Sequence, residues 1–149
     1  MLKWMRRIAG GVVCAALVVI ILAPWAVYGL ALRKITGRPS HASNSVYTAE
    51  DAEALWRKLR EPLPIKVEPQ SPYSYLWAVV HGDSRLLPSG SQLAWMVARS
   101  YNSEHLEDHG WWHPSGAALT IWLTRNWTAN ELMAKGIELD QRSKHPVVR

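Results

Sequence analysis

An uncharged apolar run near the amino terminus constrains this chain more than any other feature. Residues 8 to 32 contain no Asp, Glu, Lys or Arg. As a helix these residues would extend about 37 Å at about 1.5 Å each, which exceeds the roughly 30 Å hydrocarbon core of a bilayer. Trp4 lies at one end and Trp25 with Tyr28 toward the other, where amphipathic rings favour the membrane interface. The run therefore predicts a transmembrane helix.

A cleaved signal peptide is the main alternative for this run. Its apolar region would be about 7 to 15 residues long and would precede a small-x-small site. Residues 29 to 31, Gly-Leu-Ala, have that form, but the run is longer than a signal peptide needs, which favours an anchor. Cys14 is the only cysteine, so an intrachain disulfide is excluded, and Val13 before it is too large for a lipoprotein site.

Basic residues flank the apolar run. Residues 1 to 40 hold 6 of the 17 Lys and Arg and no acid, whereas residues 41 to 149 hold 11 basic and 12 acidic side chains, a net of −1. The overall basicity therefore does not indicate nucleic-acid binding. Because the chain starts with Lys3, Arg6 and Arg7, we expect the amino terminus inside and the carboxyl domain outside. The expected location is a bacterial inner membrane, crossed once, with the C-terminal domain in the periplasm.

Capping signals and helical periodicity organise the rest of the chain. We expect a membrane anchor at residues 1 to 36, a polar tether at 37 to 47, a helical domain at 48 to 139 and a polar tail at 140 to 149. Helices are predicted after the caps Thr48, Ser71, Ser115 and Thr128, and over residues 91 to 101. Residues 65 to 67 alternate weakly as a short strand. The predicted fold class is all-α, with one N-terminal transmembrane helix and a small extracytoplasmic helical domain.

Seven tryptophans lie beyond the anchor, and large aromatic side chains suit a core, a sugar-binding surface or a membrane surface. We expect four of them to pack the core, namely Trp56, Trp77, Trp95 and Trp122. Trp111 and Trp112 are consecutive, so both cannot face inward on one helix. At least one of this pair is expected on a functional or membrane-facing surface.

Three histidines recur every four residues, at His105, His109 and His113. On an unbroken helix this spacing would present imidazoles to a metal. Gly110 and Pro114 interrupt the segment, so we expect a polar loop with no metal and no cofactor.

Residues 89 to 99 carry a family resemblance. They read Ser-Gly-Ser-Gln-Leu-Ala-Trp-Met-Val-Ala-Arg and resemble the Gly-Gly-Ser-Thr-Ile-Thr-Gln-Gln-Leu-Ala-Arg segment of peptidoglycan glycosyltransferases, coinciding at Gly90, Ser91, Ala98 and Arg99. Residues 118 to 125 and 128 to 133 are similar to that family's later helix and its Lys-Asp-Glu-Ile-Leu element. The resemblance implies a glycan or a lipid-linked precursor as ligand. Residues expected to bind it are Ser91, Gln92, Arg99, Trp111, Trp112 and Arg125.

The chain departs from that family at the catalytic residues. The family places a glutamate base in Glu-Asp-x-x-Phe-x-x-His-x-Gly before the Ser motif, where residues 81 to 83 here read His-Gly-Asp. Glu107 is the best candidate for that base, but it follows the motif. A substituted or displaced base forfeits about 10²- to 10⁴-fold in rate, so we expect weak or no catalysis and leave enzyme status open.

Two functions from different classes remain. The first is a reduced relative of the glycosyltransferases that binds glycan or lipid-linked precursor at the membrane. The second is a non-enzymatic interaction subunit of an inner-membrane complex, with other envelope proteins as partners. The first predicts that Ser91, Gln92 and Arg99 line a concave surface, whereas the second predicts that they are buried or scattered.

Overall fold

The computed structural model describes residues 2 to 43, 46 to 106 and 108 to 144, with side chains from Gly10 onward. Its helices are α1 (Leu2–Arg33), α2 (Ala49–Lys58), α3 (Pro72–His81), α4 (Ser91–His105), α5 (Trp112–Asn126) and α6 (Ala129–Lys144). Short 3₁₀ turns lie at Ser84–Leu86 and His109–Trp111. Across the described ranges there is no strand, only an isolated bridge between Ile35 and Leu106. The predicted all-α class is confirmed.

Helix α1 contains the predicted anchor. Its segment Gly10–Arg33 has 24 residues and a mean hydropathy of 2.4, so it is long and apolar enough to cross a membrane. The large apolar side chains between Val12 and Leu22 are all more than half exposed, so the rest of the described chain does not cover them. Pro24 lies within the helix.

Local capping explains where three helices begin. Thr48 and Asp51 form a capping box for α2, and Ser71 with Pro72 starts α3, which ends at Gly82 in the left-handed region with φ 63°. The backbone amide of Thr128 donates to the Glu131 carboxylate at 2.7 Å, and the Glu131 amide donates back to the Thr128 hydroxyl at 3.3 Å. These starts agree with the sequence because a cap depends only on residues a few positions apart.

Longer-range contacts move two helix boundaries away from the predicted ones. Helix α5 begins at Trp112, three residues before the predicted cap Ser115. Ser115 is fully buried, with its hydroxyl 3.5 Å from the Ala31 carbonyl, and it does not cap the helix. Helix α6 continues past residue 139 to Lys144, since Asp140 pairs with Lys58 of α2 and with Lys144.

The predicted strand at residues 65 to 67 is wrong. This part of the chain is extended, but its only backbone ladder contact is the Glu68 amide, which donates to the Ser89 carbonyl at 2.9 Å. Pro62, Pro64 and Pro69 surround it and supply no amide hydrogen, so a ladder cannot form.

The core lies around α4, which packs against α5 and α6. Its fully buried large side chains include Trp56, Leu93, Leu119, Leu123, Leu132 and Met133. Trp56 fulfils the core prediction, and its indole nitrogen donates to the Pro62 carbonyl at 2.9 Å. Trp95 and Trp122 are half-buried. The core prediction for Trp77 is wrong, because its side chain is 60% exposed.

The segment between anchor and domain packs against the domain. The Tyr101 hydroxyl donates to the Thr36 carbonyl at 2.8 Å, and the Arg38 guanidinium lies 5.7 Å from the Trp122 ring centroid. The His41 ring stacks on Trp127 at 4.4 Å between centroids. These contacts fix residues 36 to 41 against the domain, so this segment is packed and does not form the free tether that the sequence predicts.

Candidate functional site

Helix α5 runs antiparallel to the last turns of α1 and packs the domain against that helix. At one end Lys34 Nζ lies 5.4 Å from the Trp111 ring centroid, and Ala31 packs against Ala118 in the middle. At the other end the Arg125 guanidinium lies 5.6 Å from the Trp25 ring centroid. Between Lys34 and Trp25 the helix rises by about 14 Å, so this length of α1 is covered by protein on one side.

Helix α3 joins α1 and α5 to enclose a groove. The Tyr73 hydroxyl donates to the backbone carbonyl of Ile21, which places the first turn of α3 beside the apolar segment of α1. The groove, which we call the apolar groove, has a volume of about 580 Å³. Its lining from the three helices includes Pro24, Val27, Leu76, Val79, Ala117 and Ile121, with His113 as a polar exception.

A second concavity, the polar cleft, lies beyond α3 at the start of α4. It has a volume of about 690 Å³, and its polar lining includes Arg60, Glu61, Asp83, Arg85, Ser91 and Gln92. A connecting cavity of about 310 Å³ shares Ser91 and Gln92 with the polar cleft, and Tyr75 and Val79 with the apolar groove. The three spaces therefore lie side by side, from a polar end to an apolar end beside α1.

Two carboxylates of the polar cleft already have partners. Asp83 forms an ion pair with Arg85, at 3.0 Å from Oδ1 to Nε, and the hydrogen bond from the Arg85 side chain lowers the pKa of Asp83. Glu61 accepts hydrogen bonds from the backbone amides of Gly90 at 3.0 Å and Gln92 at 2.6 Å. Because Gly90 has no side chain to cap α4, Glu61 supplies that cap from a distant part of the chain.

Arg60 is the cation that remains available in the polar cleft. It follows the C-cap of α2 and lies in the left-handed region with φ 56°, and its side chain is exposed. Within the described part of the chain its guanidinium has neither an ion pair nor a hydrogen bond. With Glu61 and Asp83 engaged, this guanidinium and the Gln92 amide are the groups best placed to meet a polar or anionic ligand.

Ser91 links the start of α4, which lines the polar cleft, to residues elsewhere in the domain. It is 2% exposed, donates through its hydroxyl to the Pro88 carbonyl and accepts from the Gln70 side-chain amide. Gln70 is fully buried, and its backbone amide donates to the Thr124 hydroxyl of α5 at 3.1 Å. Its carbonyl accepts from Arg125 at 3.1 Å, so one glutamine joins the start of α4 to the end of α5.

The sequence-predicted site residues fall into separate groups. Ser91 and Gln92 line the polar cleft and the connecting cavity, whereas Arg99 is exposed on α4 about two turns later and lines neither. Trp111 packs against α1 at one end of α5, and Arg125 lies against α1 at the other end. Trp112 is half-buried, and its carbonyl accepts from Asn102 at 3.3 Å. Glu107 lies outside the described residues.

Sequence reasoning missed Arg60, Glu61, Gln70, Asp83 and Arg85. None of them belongs to a periodic or spaced motif. Glu61 and Gln70 act through partners that only the fold brings near, whereas Asp83 and Arg85 pair locally and Arg60 faces the cleft with no side-chain partner among the described residues. The sequence gives one weak signal for a residue such as Glu61. Gly90 precedes α4 and has no side chain to cap it, so the cap must come from elsewhere in the chain.

The three spaced histidines do not converge. The His105 ring stacks on Tyr101 at 3.9 Å between centroids, His109 starts a 3₁₀ turn, and His113 lines the apolar groove. Within the ranges that the structure describes, no three His, Cys, Asp or Glu side chains come together as a metal site.

Comparison with known proteins assigns no family to this chain. No family model matches the sequence, and no curated protein or solved structure matches it. Function must therefore be inferred from the arrangement of the residues themselves.

Proposed function

We propose that this chain is a single-pass membrane protein that binds a lipid-linked polar molecule. The polar headgroup occupies the polar cleft and the apolar chain occupies the apolar groove. The observation that carries this proposal is that the two spaces lie next to each other, on either side of a cavity that shares lining residues with both, beside a helix that is apolar enough to cross a bilayer. A wholly polar ligand would leave the groove unused, and a simple apolar ligand would leave the cleft unused.

The cleft favours a glycan headgroup joined through phosphate. Its volume of about 690 Å³ lies in the range of about 300 to 1,000 Å³ typical of small-molecule sites. Arg60 can contact phosphate oxygens with paired donors, and Gln92 can exchange hydrogen bonds with sugar hydroxyls. The half-buried Trp95 lines the connecting cavity and offers an aromatic face to a sugar ring. The resemblance at Gly90 and Ser91 supports the same ligand class.

Binding with little or no turnover fits the charges of the cleft. General acid–base catalysis needs a group whose pKa lies near the working pH. The lowered pKa of Asp83 keeps that carboxylate ionised and makes it a poor base. Glu61 accepts hydrogen bonds from two backbone amides at the start of α4. If Glu61 acted as a base, it would have to give up these bonds, and the start of α4 would lose its cap.

The proposed orientation places the domain in the periplasm of a bacterial inner membrane. The basic start of the chain supports this orientation. A reporter that is active only outside the cytoplasm, fused after residue 149, should be active. A fusion that is silent there and active with a cytoplasmic reporter would reverse the orientation.

The binding proposal is tested with full-length protein in lipid nanodiscs. Native mass spectrometry would measure retention of a polyprenyl-diphosphate disaccharide, with the matching polyprenyl phosphate as the probe without sugar. Arg60→Ala should weaken binding of both probes about tenfold or more, as for other hydrogen bonds to charged groups. Gln92→Ala should weaken only the sugar-bearing probe.

Arg99→Ala is the matched control, because Arg99 carries the same charge on the exposed side of α4. It should leave both affinities unchanged. Equal losses of affinity in Arg60→Ala and Arg99→Ala would show that overall positive charge, and not the polar cleft, determines binding. Absence of binding by the unmodified protein would reject the proposal and favour the interaction subunit.

A further inference from the structure

Helix α3 is the one helix of the described domain whose surface is largely apolar and exposed. The exposed fractions of Leu76, Trp77, Val79 and Val80 are 49%, 60%, 61% and 71%, and Tyr73 is 41% exposed. Only Pro72 and Ala78 of this helix are buried. Water-exposed faces of soluble domains seldom carry such a contiguous apolar patch, so this face has a partner.

The position of α3 along α1 indicates what that partner is. A hydrocarbon core of about 30 Å takes about 20 helical residues, so a span that starts after Arg7 reaches to about residue 27. Tyr73 donates to the Ile21 carbonyl, and Leu76 and Val79 share the apolar groove with Pro24 and Val27. Contacts to residues 21 to 27 therefore place α3 at the depth of the outer part of that core.

The chemistry of α3 suits this depth. Its ten residues contain no Lys, Arg, Asp or Glu, and the first charge after it is Asp83. The backbone amides at its start are satisfied internally, since Ser71 and Ser74 form a capping box. Tyr73 and Trp77 belong to the residue types that favour the boundary between lipid and water.

Arg125 marks the level at which charge is tolerated. Its guanidinium lies over the Trp25 ring, which is four residues along α1 from Ile21. The guanidinium also donates to the Gln70 carbonyl at 3.1 Å, and a cation with such partners is best tolerated at the headgroup level, which agrees with a boundary near Trp25. The first turn of α3 then lies about 6 Å deeper than this boundary.

We propose that α3 is inserted in the bilayer that α1 crosses, with its exposed apolar face against the acyl chains of the adjacent leaflet. The domain is then a partly embedded one, and the apolar groove opens sideways to lipid. This placement of α3 follows from its contacts with α1 and from its apolar exposure; it rests on the proposed membrane crossing by α1 but not on the proposed ligand.

Site-specific fluorescence quenching tests the insertion in full-length protein. Cys14 is the only cysteine, so Cys14→Ser gives a background for single cysteines. Val80→Cys and Leu76→Cys would carry an environment-sensitive fluorophore on α3, and Glu53→Cys would carry it on an exposed site of α2. The proteins would be reconstituted in phosphatidylcholine vesicles with or without nitroxide-labelled acyl chains.

We expect the probes at positions 76 and 80 to be quenched severalfold more by nitroxide lipid than the probe at position 53. Aqueous iodide should quench position 53 and spare the two α3 positions. Iodide quenching at 80 equal to that at 53 would place α3 in water and overturn the proposal. Shielding from both quenchers would also overturn it, because a second copy or another protein would then cover this face. Circular dichroism of each labelled variant identifies any that is misfolded. If the variant at position 76 or 80 misfolds, the other still tests the insertion.

Discussion

Glu61 should stabilise α4 from outside that helix. The perturbation is Glu61→Ala, which removes the acceptor for the Gly90 and Gln92 amides at 3.0 and 2.6 Å. Helix α4 lies at the centre of the core, and Leu93, Ala94 and Val97 are buried within its first two turns. Losing the cap therefore frays a turn that both packs the core and presents Ser91 and Gln92 to the cleft.

The expected loss follows from the kind of bonds removed. Hydrogen bonds to a charged group contribute about 1.5 to 3 kcal/mol, and loss of a helix N-cap costs about 0.5 to 2 kcal/mol. We expect about 2 kcal/mol for Glu61→Ala. At about 4 to 8 °C per kcal/mol for a domain of this size, Tm should fall by about 8 to 16 °C. Glu61→Gln keeps one carbonyl acceptor and should lose about half as much.

Thermal unfolding of the full-length protein in lipid nanodiscs is the assay, followed by circular dichroism at the helical band and by tryptophan fluorescence. Glu53→Gln is the control, because Glu53 only pairs with Arg57 at 3.8 Å on the exposed surface of α2. That variant should lose less than about 0.5 kcal/mol. A Glu61→Ala protein that melts together with the control would refute the capping role.

Three further outcomes follow from local features. Gly90→Ala should destabilise the domain more than Gly82→Ala in a urea titration, because both glycines have positive φ but only at Gly90 would a Cβ meet the Val67 backbone, at 2.9 Å; equal losses would contradict this. Stability should fall in acid as pH drops below the ordinary Asp pKa of 3.8, because hydrogen bonds from Lys144 and then Lys58 lower the pKa of Asp140 in the folded state. The loss of stability in acid should be smaller in Asp140→Asn. If Tm depends on pH in that variant as it does in the unmodified protein, Asp140 makes no contribution. Chelation of divalent metals should leave Tm unchanged, since nothing in the described histidine segment forms a metal site; a Tm that rises with added zinc would contradict that expectation.

The sequence predicts what depends on near neighbours. The capping boxes at Thr48 and Thr128, and the Ser71-Pro72 start with its Gly82 end, involve residues within one or two turns. The start of α5 was not predictable in this way. Ser115 has the right chemistry for a cap, but burial against Ala31, 84 positions earlier, takes precedence.

The site was harder to predict than the helices. Ser91 and Gln92 were found through a short resemblance, but Gln70 and Glu61 reach them across 21 and 31 positions of sequence. Trp77 shows a different limit. Helical spacing puts Trp77 on one apolar face with Leu76 and Val80, but an apolar face fits a protein core and a lipid phase equally well. Only the contact of α3 with α1 separates the two.

Photocrosslinking of a lipid-linked glycan tests the central claim most directly. Two polyprenyl-diphosphate disaccharide probes would carry a diazirine either on the sugar or in the prenyl chain, and labelled peptides would be mapped by mass spectrometry in nanodiscs. The sugar probe should label residues 60 to 61 and 82 to 92, and the chain probe should label α3, α5 and residues 23 to 28 of α1. Chain labelling spread evenly along α1, with no sugar labelling in the polar cleft, would contradict a composite site for a lipid-linked ligand.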